Sequence, residues 1–227
     1  MVDCEYELHE YKAGFFGDDS MLADIKWIFF DLGSTLIDET EADTRRIKEM
    51  ISGTNITEEA FREKRFEMIR KGLNGDLSTI DYFGLTKTPW HSEDEVPYTD
   101  VVSVLTELQQ HGYKLGVVAN QNYGTKQRLN NWNLLQFFNI IAASAELGME
   151  KPNLAIFEWA LNQADCCPQN AVMVGDRMDN DMAPANSLGM HTVRLLRGLG
   201  AYHKPQSVDE KPEYTISSLA KLLDLLG

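Results

Sequence analysis

The sequence predicts a doubly wound parallel α/β sheet that carries a small all-helical insertion, and three observations predict it. Short apolar runs alternate with amphipathic helical stretches through the second half of the chain. Each run stops abruptly at small or polar residues, as a buried parallel strand does where it enters a loop. A charged, helix-periodic block separates the first run from the rest, which is how an insertion into such a sheet reads.

Residues 1–24 are acidic and aromatic, with Tyr6, Tyr11, Phe15 and Phe16, and read as an N-terminal extension that either packs on the domain or forms a tail. The apolar run from Ile25 to Phe30 is the first strand, ending at Asp31-Leu32-Gly33-Ser34. Residues 39–96 form the helical insertion. Helices are expected over Thr44–Met50 and Glu58–Lys71, with Ser78 and Asp81 opening a third. Residues 25–38 and 97–227 make the sheet domain. Val101, Val104, Leu105 and Leu108 fall at helical spacing before Gly112. Strands follow at Tyr113–Val118, Ile140–Ala143, Ala171–Val174, His191–Leu195 and Tyr214–Ile216. Helices are expected over Lys126–Asn131, Leu154–Gln163 and after Asp181, and Ser217 is expected to cap a last helix.

Composition bounds the function. The 227 residues, 43% hydrophobic and 25% charged, suit one core with a small second lobe. A net charge of −14 and a pI near 4.7 exclude nucleic acid and anionic membrane as partners on global electrostatics. Three cysteines without a spaced framework argue against a disulfide-stapled secreted domain. The acidic N-terminus lacks the apolar run of a signal peptide, so the expected address is the cytoplasm.

Ligands of open α/β sheets bind at the carboxyl ends of the strands. Asp31, Gly33, Thr35, Asn120, Lys151, Asp176 and Asp181 stand there. Three carboxylates and a lysine at converging strand ends suit a hard divalent cation and a phosphate.

On these residues the chain resembles the haloacid dehalogenase superfamily, chiefly its phosphatases. The resemblance rests on Phe30-Asp31-Leu32-Gly33-Ser34-Thr35-Leu36, Val117-Val118-Ala119-Asn120, Lys151-Pro152 and Val174-Gly175-Asp176-Arg177-Met178-Asp179-Asn180-Asp181. It implies a Rossmann-like core with a small helical cap over residues 39–96. It also implies a magnesium-dependent phosphatase acting on a small phosphorylated metabolite. Asp31 would be the nucleophile, forming an aspartyl-phosphate. Mg²⁺ would be held by Asp31, the backbone carbonyl of Gly33, Asp176 and Asp181. Lys151 would bind the transferring group and orient Asp31, while Thr35 and the amides near Asn120 would contact phosphate oxygens.

Two positions depart from the pattern. The family's second aspartate, which protonates the leaving oxygen and then activates water, is Gly33 here; such a group contributes roughly 10²–10⁴-fold. The hydroxyl of the second motif is replaced by Ala119. His91 and Glu95 are the sequence's candidates for a replacement acid. The alternative expectation is a catalytically impaired relative that binds a phospho-ligand or a protein partner.

Overall fold

The computed structural model places Trp27–Phe30 (β1) at the centre of a six-stranded, all-parallel sheet, and it describes Leu22 and residues 24–227. Most of the expected N-terminal extension therefore lies outside the described residues. The strands that follow are Ile37–Asp38 (β2), Val96–Pro97 (β3), Lys114–Ala119 (β4), Ile140–Ala143 (β5), Ala171–Gly175 (β6), His191–Leu195 (β7) and Tyr214–Ile216 (β8). The main sheet runs β5-β4-β1-β6-β7-β8. Phe30 is paired with Val117 on one side and Val174 on the other, so β1, β4 and β6 end level with one another.

The helices are Thr40–Ile51 (α1), Glu58–Arg70 (α2), Gly75–Phe83 (α3), Val101–Gln110 (α4), Thr125–Asn131 (α5), Ser144–Leu147 (α6), Leu154–Ala164 (α7), Ala183–Leu188 (α8) and Lys221–Leu226 (α9). β1 is buried on both faces because its side chains alternate between two cores. Ile28 and Phe30 pack with Val101, Leu105 and Leu222 under α4 and α9. Trp27 and Phe29 pack with Ile156, Phe157 and Ala185 under α7 and α8. Each such side chain contributes about 1.5–3 kcal/mol on burial.

The helical segment α1–α3 leaves and rejoins the sheet domain through a two-stranded ribbon, with Ile37 opposite Pro97 and Asp38 opposite Val96. Its apolar cluster is small: Ile47, Met50, Phe61 and Ile80. A buried ion pair supplements it. Arg65, 1% exposed, grips both oxygens of Asp43 at 2.6 and 2.8 Å and reaches Asp76 Oδ1 at 3.1 Å, tying α2 to α1 and α3.

Three helix starts differ from the sequence expectation. α1 begins at Thr40 rather than Thr44, and the side chain of Glu39, at its N-cap position, makes no capping bond. α3 begins one turn before Ser78, because Asn74 Oδ1 already accepts from the Leu77 amide at 2.9 Å. α9 begins at Lys221 rather than after Ser217. Residues 218–222 first make a tight turn, with Lys221 N donating to Ser218 O.

Candidate active site

The central strands end level, and the loops beyond them converge. Asp31 follows β1 directly, its amide donating to Val174 O at 2.9 Å. The next residues turn at once: the amides of Thr35, Leu36 and Ile37 all donate to Leu32 O, and Ser34 takes a positive φ of 55°. Asn120 follows β4 and Asp176 follows β6. Asp181 returns to the site on a single π-helical turn, Met178–Met182, and accepts at Oδ2 from the Arg177 amide at 3.0 Å. That return requires glycine at 175. A Cβ there would stand 2.5 Å from Asp181 Cγ and 2.7 Å from its Cβ.

Lys151 lies at the middle of this group, 4% exposed. Its Nζ donates to Asp31 Oδ1 at 2.7 Å and to Asp181 Oδ1 at 2.5 Å. Asn120 holds Lys151 from behind: its Oδ1 accepts from the Lys151 amide at 2.7 Å and its Nδ2 donates to the Lys151 carbonyl at 2.9 Å. The carboxamide is thus spent on positioning the lysine backbone. Thr35 is fully buried off the cavity wall, its Oγ1 without a hydrogen-bond partner and its carbonyl accepting from Arg197 Nη1 at 2.9 Å.

Asp31, Asp176 and Asp181 each offer a carboxylate oxygen within 4.8 Å of the others, and all three are buried. Three negative charges against the one positive charge of Lys151 leave a buried excess that a divalent cation with oxygen ligands would balance. The titrations carry the same message. Burial pushes Asp176 well above the usual carboxylate range, with Asp181 and Asp31 adding to it. Burial raises Asp181 to about 6 despite Lys151. Burial works against the charge of Lys151, yet Asp181 and Asp31 together hold its pKa above the ordinary value.

Charged groups that sequence reading did not single out complete the walls, among them Glu39, Arg46, Arg62 and Lys87. The cavity they share with the strand-end cluster is about 760 Å³. Glu39 lies against Gly33, where a Cβ would meet its Oε1 at 2.5 Å, and Ser34 Oγ donates to its Oε2 at 3.1 Å. Burial, then Glu95 and Asp31, raise the Glu39 carboxyl to about 8. Of the two replacement acids expected from sequence, Glu95 lines the cavity but accepts from Trp90 Nε1 at 2.6 Å. His91 is off the wall, paired with Glu49 at 2.8 Å. The loop Gly198–Tyr202 closes the remaining side. Gly200 packs against Asp176, where a Cβ would lie 2.6 Å from its carbonyl oxygen.

Residues 28–195 match the family of haloacid dehalogenase-like hydrolases. The chain belongs to that family. This hydrolase is 34% identical over 228 residues to a glyceraldehyde 3-phosphate phosphatase of Methanocaldococcus jannaschii, covering 89% of this chain and 97% of that one. It is 31% identical over 231 residues to the glyceraldehyde 3-phosphate phosphatase of Methanopyrus kandleri, covering 89% and 97%. A HAD phosphatase structure from Thermococcus onnurineus shares the fold, with a TM-score of 0.64 at 22% identity over 89% of this chain and 98% of that one. No described helix is long and apolar enough to cross a membrane.

Raised carboxyl groups have a consequence for the stability of the hydrolase. Asp181, moved from 3.8 to about 6, and Glu39, moved from 4.5 to about 8, bind more protons folded than unfolded across those windows. Their contribution is therefore present at low pH and lost as pH rises through about 4–8. A divalent cation favours the ionised carboxylates, so its affinity rises over the same range. The expected result in thermal melts is that magnesium raises Tm more at pH 8 than at pH 5; an equal shift at both would oppose this account.

Proposed function

We infer that this hydrolase is a phosphomonoesterase acting on a small phosphorylated metabolite through an aspartyl-phosphate on Asp31. The observation that carries the reading is the buried cluster beyond the strand ends: Asp31, Asp176 and Asp181 gathered beside Lys151, with Asp31, Asp176 and Lys151 lining one cavity. A volume of about 760 Å³ suits a small molecule. The two glyceraldehyde 3-phosphate phosphatases support the same class of substrate.

In this reading the free carboxylate oxygen of Asp31 attacks phosphorus in line with the leaving oxygen, and water then hydrolyses the acyl phosphate. Lys151, fixed against Asp31 at 2.7 Å, keeps the nucleophile oriented and offsets negative charge on the transferring group. Asp31, Asp176 and Asp181 would hold magnesium, which supplies charge neutralisation to the phosphate oxygens. Helices α1–α3 act as the cap over the sheet domain, and Arg46 of α1, Arg62 of α2 and Lys87, in the segment after α3, line the part of the cavity that receives the rest of the substrate.

Asn120→Ala removes both bonds to the Lys151 backbone. At about 0.5–1.5 kcal/mol per bond, a loss of roughly tenfold in kcat is expected, with KM little changed. A change confined to KM would instead place the Asn120 side chain on the substrate. The proposal itself is tested by hydrolysis of para-nitrophenyl phosphate with and without magnesium. Metal-dependent turnover supports it. Bound metal without turnover would instead support a relative that holds a phospho-ligand, the reading that Gly33 and Ala119 favour.

A further inference from the structure

We propose that Glu39 is the catalytic proton-transfer group of this hydrolase, its carboxyl standing where the side chain of a second aspartate at position 33 would stand. The inference rests on the phosphatase reading and names a residue for the step that Gly33 leaves open. The spatial argument is direct. A Cβ built on Gly33 meets Glu39 Oε1 at 2.5 Å, Cδ at 2.8 Å and Oε2 at 2.8 Å. An aspartate at 33 and the carboxyl of Glu39 would compete for one volume, so this chain has the carboxyl without the aspartate.

The placement has its own supports. Glu39 occupies the N-cap position of α1, where a side-chain oxygen can bond the free amides of the first turn. Here it makes no such bond and lines the cavity beside Asp31. Ser34 Oγ holds one carboxyl oxygen at 3.1 Å, leaving Oε1 for the reacting groups. The ribbon of β2 and β3 fixes the backbone just before it, through Asp38 paired with Val96. Glu39 is therefore held at both ends, on a short lead from the nucleophile's own loop.

The chemistry balances in two steps. As an Asp31 carboxylate oxygen bonds to phosphorus, the phosphorus–ester oxygen bond breaks and the departing oxygen takes the proton from Glu39, leaving as the alcohol. A water oxygen then bonds to phosphorus while Glu39 accepts its proton. The phosphorus–Asp31 oxygen bond breaks, free phosphate leaves, and protonated Glu39 and ionised Asp31 are restored.

The test is Glu39→Gln in the full chain with magnesium, assayed on an alkyl phosphate (glycerol phosphate) and on para-nitrophenyl phosphate, whose leaving group departs without a proton. On the alkyl ester, turnover is expected to fall roughly 10²–10⁴-fold. On the aryl ester, the first equivalent of nitrophenol should still be released in a burst, followed by a slow steady rate as phosphorylated Asp31 accumulates. Gly33→Ala, which leaves Glu39 in the sequence but pushes its carboxyl aside, should show the same pair of effects. Gly33→Asp combined with Glu39→Ala should recover alkyl turnover. An alkyl-to-aryl ratio unchanged from wild type in Glu39→Gln, with no burst, would overturn the role of Glu39 while leaving the phosphatase reading intact. Absence of aryl turnover in the wild-type protein would overturn both.

Discussion

Asp31→Asn is expected to reduce hydrolysis of any phosphate ester by roughly three orders of magnitude or more, as loss of a covalent nucleophile does. The amide cannot form the acyl phosphate, and it also removes one of three gathered carboxylates. The variant should nonetheless fold. Asp31 lies in a loop beyond β1, its backbone bond to Val174 O is untouched, and repulsion among Asp31, Asp176 and Asp181 is relieved. Weakened magnesium binding with an unchanged or raised Tm is the expected pairing. Turnover within tenfold of wild type would remove Asp31 from the chemistry and with it the assignment of every residue built around it.

Lys151→Ala carries the second large effect, and it reaches both activity and stability. Among the described residues, Lys151 Nζ is the one cation within hydrogen-bond reach of both Asp31 and Asp181, at 2.7 and 2.5 Å, and it is buried with them. Removing one partner of a buried ion pair leaves the others uncompensated, at a cost of about 3–5 kcal/mol. Phosphoryl transfer loses the group that orients Asp31 and offsets the phosphate charge. Because the vacated charge is positive, magnesium should restore part of the lost stability and none of the lost turnover. Denaturant unfolding with and without magnesium, alongside hydrolysis rates, measures both. A variant as stable as wild type in the absence of metal would mean that Lys151 does not offset buried carboxylate charge in the folded protein.

The sheet and its site were legible in the sequence because both follow from local rules. Apolar runs such as Trp27–Phe30 and Ala171–Gly175 are buried on both faces, and a polar residue ends each of them where the loop begins. Asp31 and Asp176 could be named because strand ends of one parallel sheet must converge. Lys151 follows α6 and Asp181 returns on the turn Met178–Met182; they could be named because the motifs around them resemble those of the family. What the sequence concealed depends on where side chains turn after the backbone is set. The amides near Asn120 read as phosphate contacts, and the service of its side-chain carboxamide to the Lys151 backbone has no sequence signal. Thr35 follows the nucleophile closely, but the tight turn around Leu32 O carries its hydroxyl away from the cavity. Glu39 reads only as the edge of the charged helical block, five residues before the first expected helix at Thr44. The signal that pointed to it was negative: a carboxylate missing at position 33, with another placed at the start of the next helix. The Arg46, Arg62 and Arg65 cluster was likewise hidden, because charged residues at helical spacing read as a solvated face until α1, α2 and α3 pack together.

The claim at the centre of this account is that Asp31 is transiently phosphorylated. The most direct measurement is rapid acid quench of the magnesium-loaded protein during turnover of para-nitrophenyl phosphate, followed by intact mass and peptide mapping. The account predicts one phosphoryl group per chain, labile to hydroxylamine and located on the peptide that contains Asp31, absent in Asp31→Asn and accumulating in Glu39→Gln. Release of phosphate with no covalent adduct at any quench time, or an adduct on another residue, would contradict it.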